Sequence, residues 1–172
     1  DSLIKSTQPA SGNIVNLNIR KDQISSVDSS GTVRVYSLAD LKQVAQFPAQ
    51  GAFCSALTGD GKLIVGQGAS GSKSSSLQSI TLKTGENLPL EGGRSALFNL
   101  VFAPMNKTLF AIALSLGKDL PVTSLEQGSA RGLETAVMSI PGEDFGADLV
   151  LAPDESRVYT SLGGIGVVSW DG

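Results

Sequence analysis

The chain has 172 residues, of which 41% are hydrophobic and 17% charged, so it is long enough to bury a core and its composition is globular, not disordered. Its net charge is −3, and the positive charges stand singly apart from Arg20-Lys21, which leaves nucleic-acid binding without electrostatic support. The absence of histidine and the presence of one cysteine exclude Ser-His-Asp and Cys-His catalysis, His-based metal sites and an intrachain disulfide.

The first 50 residues predict four short strands joined by tight turns. Residues 14–19 alternate apolar and polar side chains, as a half-buried strand does. Polar turns separate three further strands, of which the second is rich in β-branched residues. The predicted strands are Ile14–Ile19, Ile24–Asp28, Thr32–Leu38 and Gln43–Phe47. Four antiparallel strands in this order are typical of one propeller blade.

A second repeat follows in the same order. Its predicted strands are Phe53–Leu57, Leu63–Gly66, Leu77–Leu82 and Asn87–Leu90. Residues 67–76 between the second and third strands are mostly Gly and Ser, which predicts a flexible loop. A phosphate-binding loop is the alternative, but no helical pattern follows Lys73-Ser74, as that motif requires.

The third and fourth repeats are less regular. The third has predicted strands at Leu97–Ala103, Leu109–Leu114 and Leu133–Ile140, and the fourth at Asp148–Ala152, Arg157–Ser161 and Ile165–Trp170. Residues 115–132 form a polar insertion in the third repeat, which we interpret as a surface loop or, alternatively, as a binding element. Because no fourth strand follows Trp170, residues 1–12 are predicted to be a closing outer strand.

The turn after the first strand of each repeat sets the period. The four copies begin at residues 18, 57, 103 and 152, which are 39, 46 and 49 positions apart. A period of this size with several strands per repeat predicts an all-β chain, a β-propeller of four-stranded antiparallel blades with about four repeats. We expect one propeller or propeller fragment over 1–172, with blades at about 13–50, 51–93, 94–146 and 147–172.

Several segments resemble WD40 repeats and the related bacterial YVTN-type propellers. Ser30–Leu38 resembles the third-strand signature of WD40 repeats, with Tyr36-Ser37 in place of the Trp-Asp pair. Trp170-Asp171 stands near the equivalent place in the fourth repeat, and Ala152–Tyr159 is similar to the first turn of both families. The Asp-His-Ser-Trp network of WD40 repeats needs a histidine, so no functional residue of the family is carried over.

The number of four blades does not determine how the ring is completed. A single blade cannot bury both faces of its sheet, so blades stack around an axis and the ring must close. The chain is a section of a longer propeller, a half-ring that pairs with a second chain, or a small ring closed by itself. A half-ring would expose apolar blade faces that require a partner.

The resemblance implies a non-catalytic protein-protein interaction module or scaffold. Its expected partners are other proteins or peptides, and a second copy or further blades that complete the ring. No catalytic, cofactor or metal residue is assigned. The alternative is a propeller-type enzyme or enzyme subunit, hydrolase-like or lactonase-like, with carboxylates and a metal in the central channel. The candidate partner contacts are Arg20, Lys21, Lys118, Asp119, Glu126 and Arg131.

The sequence also predicts the roles of the turn carboxylates and of the single cysteine. Carboxylates in turns usually accept hydrogen bonds from their own backbone, which we expect of Asp28, Asp60, Asp154 and Glu155. Cys54 lies in an apolar strand without a base nearby in sequence, which favours a buried structural thiol.

No apolar run approaches the roughly 20 residues of a membrane-spanning helix.

Overall fold

The computed structural model describes residues 12–68, 77–92, 96–116, 120–141, 148–162 and 166–171. No helix in these ranges is long and apolar enough to cross a membrane. Residues 1–11, most of the predicted loop at 67–76 and the predicted turn at 141–144 beyond Pro141 lie outside them. The strands are β1 (Ile14–Arg20), β2 (Gln23–Asp28), β3 (Thr32–Ser37), β4 (Gln43–Pro48), β5 (Ala52–Leu57), β6 (Lys62–Gln67), β7 (Leu77–Thr81), β8 (Asn87–Leu90), β9 (Ala96–Ala103), β10 (Thr108–Leu116), β11 (Pro121–Ser129), β12 (Gly132–Pro141), β13 (Leu149–Leu151), β14 (Arg157–Leu162) and β15 (Gly166–Asp171).

The strands form four sheets, each built from strands that are consecutive in the chain. Their orders are β1-β2-β3-β4, β5-β6-β7-β8, β9-β10-β11-β12 and β13-β14-β15, and every pairing within them is antiparallel. Tight turns allow this arrangement because antiparallel neighbours need only short connections. We call the sheets blades 1 to 4. The chain is therefore all-β and built from propeller-type blades, as the sequence predicts.

Three apolar layers hold neighbouring blades together. Val27, Val33 and Val65 belong to the layer between blades 1 and 2. The layer between blades 2 and 3 includes Leu97, Leu109 and Cys54, and that between blades 3 and 4 includes Phe110, Ile112, Leu149 and Val158. Blades 2 and 3 thus bury both faces, while each outer blade takes part in a single layer among the described residues.

Cys54 is the buried structural thiol that the sequence predicts. Its side chain is fully buried in β5, and its Sγ lies 3.6 Å from the carbonyl oxygen of Leu97 in blade 3. Burial raises the pKa of the thiol far above its ordinary value, so the nucleophilic thiolate is disfavoured.

The polar insertion predicted at residues 115–132 is a strand and not a loop. Its described residues complete β10 and form β11, which pairs with β10 over nine residue pairs from Thr108↔Ser129 to Leu116↔Pro121. The strand predicted as the third of this blade is in fact the fourth, β12, which pairs with β11. Backbone pairing with β10 and β12 forms this strand although it contains Pro121, Glu126 and Gly128, which are uncommon in strands, and its register against β12 shifts twice.

Strand β1 is half-buried as predicted, but its buried side is the polar one. Asn16 and Asn18 face blade 2, where their side-chain oxygens accept hydrogen bonds from the backbone N–H groups of Ser55 and Leu57 at 3.0 and 3.1 Å. The apolar residues between and after them point the other way, and Leu17 is 63% exposed. The asparagines therefore satisfy backbone groups of β5, and the apolar side of β1 faces away from blade 2.

Candidate protein-interaction surfaces

The first strands of blades 1, 2 and 3 each carry a β-bulge that leaves one apolar residue unpaired. The register moves from Ile14↔Asp28 to Asn16↔Val27, from Ala52↔Gln67 to Cys54↔Gly66, and from Leu97↔Ala113 to Asn99↔Ile112. The extra residues are Val15, Phe53 and Phe98. A bulge turns its extra side chain out of the regular alternation, and bulges are frequent beside functional sites.

The three bulge residues meet in one cleft, which we call the bulge cleft. It has a volume of about 540 Å³, and turn residues of blades 1 and 2, among them Gly31 and Gly51, line it as well. The rings of Phe53 and Phe98 meet edge to face, with centroids 5.4 Å apart and an interplanar angle of 82°. Phe53 is 39% exposed. No residue in its described lining is charged, so the cleft suits an uncharged apolar group.

The first turns of the blades converge at the opposite end of the first strands. Arg20, which ends β1, forms an ion pair with Glu155 in the turn between β13 and β14. The same carboxylate accepts a hydrogen bond of 2.8 Å from the backbone N–H of Met105, in the turn between β9 and β10. One carboxylate thus connects blades 1, 3 and 4 at this turn end.

Glu155 is held in this position at some conformational cost. Its φ of 59° lies in the left-handed region, which disfavours residues with a Cβ. Burial by itself would raise the pKa of Glu155, but the hydrogen bonds from Arg20 and Met105 and the positive charges of Arg20 and Lys21 outweigh it and lower the pKa. The sequence prediction that Glu155 bonds to its own backbone is therefore wrong.

The other turn carboxylates behave more locally. Asp28 accepts hydrogen bonds from the N–H groups of Ser30 and Thr32, and Asp154 accepts one from the N–H of Ser156, as predicted. Asp60 instead accepts a hydrogen bond from the hydroxyl of Thr58. Among the described residues no three acidic or thiol side chains converge to hold a metal ion.

A central cavity lies between the first strands of all four blades. It has a volume of about 430 Å³, and its described lining combines apolar residues of β1, β5, β9 and β13 with Asn18 and Arg20. No carboxylate contributes to that lining. Its apolar walls include Leu17, Ile19 and Val150, which are among the exposed hydrophobic residues of the molecule.

The structure separates the predicted contact residues. Arg20 and Lys21 lie at the turn end. The side chains of Lys21 and Pro104 both lie beside Gly59, 3.8 Å from the place where a Cβ would stand on that glycine. Glu126 lies within β11, where burial raises the pKa of its carboxyl against the hydrogen bond from Ser124. Arg131 lies in the turn between β11 and β12. Lys118 and Asp119 lie outside the described residues, and whether any of the six contacts a partner stays a prediction.

Sequence reasoning missed the bulge cleft because a bulge changes the facing of one residue without changing the composition of its strand. Phe53 and Phe98 each stand beside a residue that is fully buried, Cys54 and Leu97. Two apolar residues in succession interrupt a strict alternation, and this interruption is the signal that the sequence offers.

The comparisons with known proteins support the fold. No family model and no curated protein matches the sequence. The computationally designed Ika4 protein shares the fold with a TM-score of 0.63 and 15% identity, over 99% of this chain and 98% of that one.

Two solved natural structures are similar as well. Kuenenia stuttgartiensis hydrazine synthase has a TM-score of 0.66 and 15% identity over 99% of this chain, and a chain of the mitotic checkpoint complex has 0.68 and 19% over 98%. The match spans about half of these longer chains, 49% and 53%. At these identities the likeness shows the fold.

Proposed function

We propose that the chain is a divergent WD40-like propeller module that binds protein partners without catalysis, and that the bulge cleft receives an apolar side chain of a bound peptide. The observation that carries the proposal is the placement of Val15, Phe53 and Phe98 in one cleft by three bulges at corresponding places. Three blades contribute to the cleft, so its shape depends on the stacked assembly and not on a single loop.

The chemistry of the cleft defines the expected ligand. Its aromatic rings offer a large apolar surface at low cost in side-chain entropy, as is common at protein interfaces. The polar side chains in its described lining, Ser29, Ser30 and Gln50, are uncharged. A peptide with an aromatic or large aliphatic side chain and no charge at that position is the expected occupant.

Similarity to a chain of a mitotic checkpoint complex is consistent with an interaction module, since that structure is an assembly of proteins. Of the predicted contact residues, Lys21 at the turn end is proposed as a second contact site, and Arg131 in the turn between β11 and β12 as a separate one. The enzyme alternative requires carboxylates in the channel, and the described lining of the cavity offers none. It therefore has no specific observation in its favour.

The test is a selection from random peptides displayed on phage, against the wild-type chain and Phe53→Ser. We expect enriched peptides to share a large apolar residue and to lose binding to Phe53→Ser. Leu88→Ser is the matched control, because Leu88 is an exposed apolar residue on the outer strand of the same blade.

Thermal melts of both variants test whether the substitutions keep the fold. Peptides that bind Phe53→Ser as well as wild type would exclude the bulge cleft as the binding site, and the absence of any enrichment would contradict the proposed function.

A further inference from the structure

The junction between blade 4 and blade 1 differs from the three other blade contacts. Continuous apolar layers join blades 1 and 2, 2 and 3, and 3 and 4. In the described part of the chain no such layer joins blade 4 to blade 1. The contact found between these two blades is the ion pair of Arg20 with Glu155, beside the central cavity of about 430 Å³ that the first strands of all four blades line. We call this junction the seam.

Both sides of the seam carry exposed apolar side chains. On β1 the side turned away from blade 2 bears Leu17 and Ile19, which are 63% and 62% exposed. On blade 4, Val150 is 57% exposed and pairs across the strands with Tyr159, which is also exposed, so the two share the face turned away from blade 3. Apolar residues grouped on an unpartnered sheet face indicate a contact surface.

The ion pair that bridges the seam leaves one hydrogen-bond donor of Arg20 without a partner. The carboxylate of Glu155 is largely buried beside the Arg20 guanidinium, while the Nε of Arg20 is buried and has no hydrogen-bond partner. A buried donor without a partner is a cost that a better-packed junction would remove. Closure within one chain therefore satisfies the charges and leaves the apolar faces apart.

We propose that the seam is a self-association surface, and that two copies of this chain complete one ring by packing blade 4 of each copy on blade 1 of the other. A second copy carries the complement of each face, because blade 1 offers an apolar face with Arg20 at its end and blade 4 an apolar face with Glu155 at its end. In the paired ring Arg20 of one copy binds Glu155 of the other. Exchanging a contact that already exists within the chain is an inexpensive route to a dimer.

The proposal goes beyond partner binding at the bulge cleft, which lies at the other end of the first strands, so the two can fail separately.

The first measurement is solution mass by light scattering after size exclusion, from micromolar to millimolar concentration. We expect the wild-type chain to move from 17.7 kDa toward twice that mass. Leu17→Asp places a charge in each of the two seams and should raise the dimer dissociation constant about tenfold or more. Leu88→Asp, at another exposed apolar residue away from the seam, should leave the dissociation constant unchanged. A wild-type monomer at every concentration, or equal effects of the two variants, would overturn the proposal.

A mixing experiment distinguishes pairing between copies from closure within one chain. Arg20→Glu and Glu155→Arg each place like charges in both seams of a homodimer, so each variant should be monomeric. In a mixed dimer one seam joins the two substituted residues and the other joins the two native ones, so both seams carry opposite charges. We expect the mixture to dimerise at concentrations where neither variant does. A mixture with no more dimer than its components would show that the pair does not form between copies.

Discussion

Four hydrogen bonds converge on the carboxylate of Asp28, which is fully buried at the end of β2. Its donors are the N–H and hydroxyl of Ser30, the N–H of Thr32 and the guanidinium of Arg34, whose nitrogen lies 2.5 Å away. The network fixes the turn between β2 and β3 to the body of blade 1. The network joins Asp28, Ser30 and Arg34 without a histidine. Blade 1 is therefore stabilised by a buried polar network that differs from the Asp-His-Ser-Trp network of WD40 repeats.

Removing the negative charge at this position should be costly. Asp28→Asn keeps the shape of the side chain but leaves the buried Arg34 guanidinium without its counter-charge, which we expect to lower the free energy of unfolding by about 3 kcal/mol or more. Asp40→Asn is the control, because Asp40 pairs with Lys42 at the surface, where solvent screens the two charges and such pairs stabilise the fold little. Urea unfolding of both variants measures the difference, and equal losses would show that burial of the pair has no effect.

The Asp28 carboxylate should also make the free energy of unfolding decrease in acid. Burial would raise the pKa of Asp28, but the hydrogen bonds from Ser30, Arg34 and Thr32 outweigh it and lower the pKa from 3.8 to about 2. The folded chain therefore binds this proton less readily than the unfolded chain, so the contribution is complete above about pH 4 and disappears as the pH falls to about 2. Urea titrations at several pH values should show the gap between wild type and Asp28→Asn narrowing across this window. A constant gap would refute the assignment.

At the scale of elements, β1 is held to blade 2 by polar contacts from its asparagines. Asn18→Ala leaves the N–H of Leu57 without its acceptor beside an apolar layer, which should lower the free energy of unfolding by about 1–3 kcal/mol. Gln46→Ala removes an exposed amide from β4 of the same blade and should change it by less than about 0.5 kcal/mol. Chemical unfolding compares the two, and similar small effects would show that the bond to Leu57 is replaced by water.

The elements that could be predicted from the sequence are those whose side chains follow the strand period. Strands β2 and β6 lie within one residue of their predicted ends, because alternating and β-branched residues stand between Gly, Ser and Asp turns. Strand β11 could not be predicted, since its Ser124, Gln127 and Gly128 are typical of loops, and its neighbours β10 and β12 determine its conformation. Tertiary pairing overrides local propensity there.

The candidate sites could not be predicted, because they depend on the direction in which each side chain points and not on the composition of its strand. Periodicity predicted that β1 is half-buried, but which half is buried depends on the neighbouring blade, and Asn18 is turned inward because β5 offers it a backbone donor. Likewise, the exposure of Phe53 follows from one bulge in the pairing of β5 with β6. A one-residue change of register reverses the facing of a side chain, and the residues themselves do not specify it.

At the scale of the whole molecule, the blades differ in how many of their faces are packed. Blades 2 and 3 lie between two apolar layers, whereas blades 1 and 4 each contribute to one layer among the described residues. In a stacked array the stability of a repeat depends on its own sheet and on each interface that it shares with a neighbour. The outer blades of a single copy should therefore open locally before the inner ones.

Amide hydrogen exchange of the monomer tests this order. The second strands β2, β6, β10 and β14 are suitable probes, because each is hydrogen-bonded to a strand on both sides. Differences between them therefore report on face packing and not on unpaired backbone groups. We expect β2 and β14 to exchange faster than β6 and β10, and to gain protection selectively as the chain concentration rises and the seam becomes occupied. Equal protection of all four strands in the dilute monomer would mean that blades 4 and 1 pack as firmly as the inner blades, and that the chain closes its ring without a second copy.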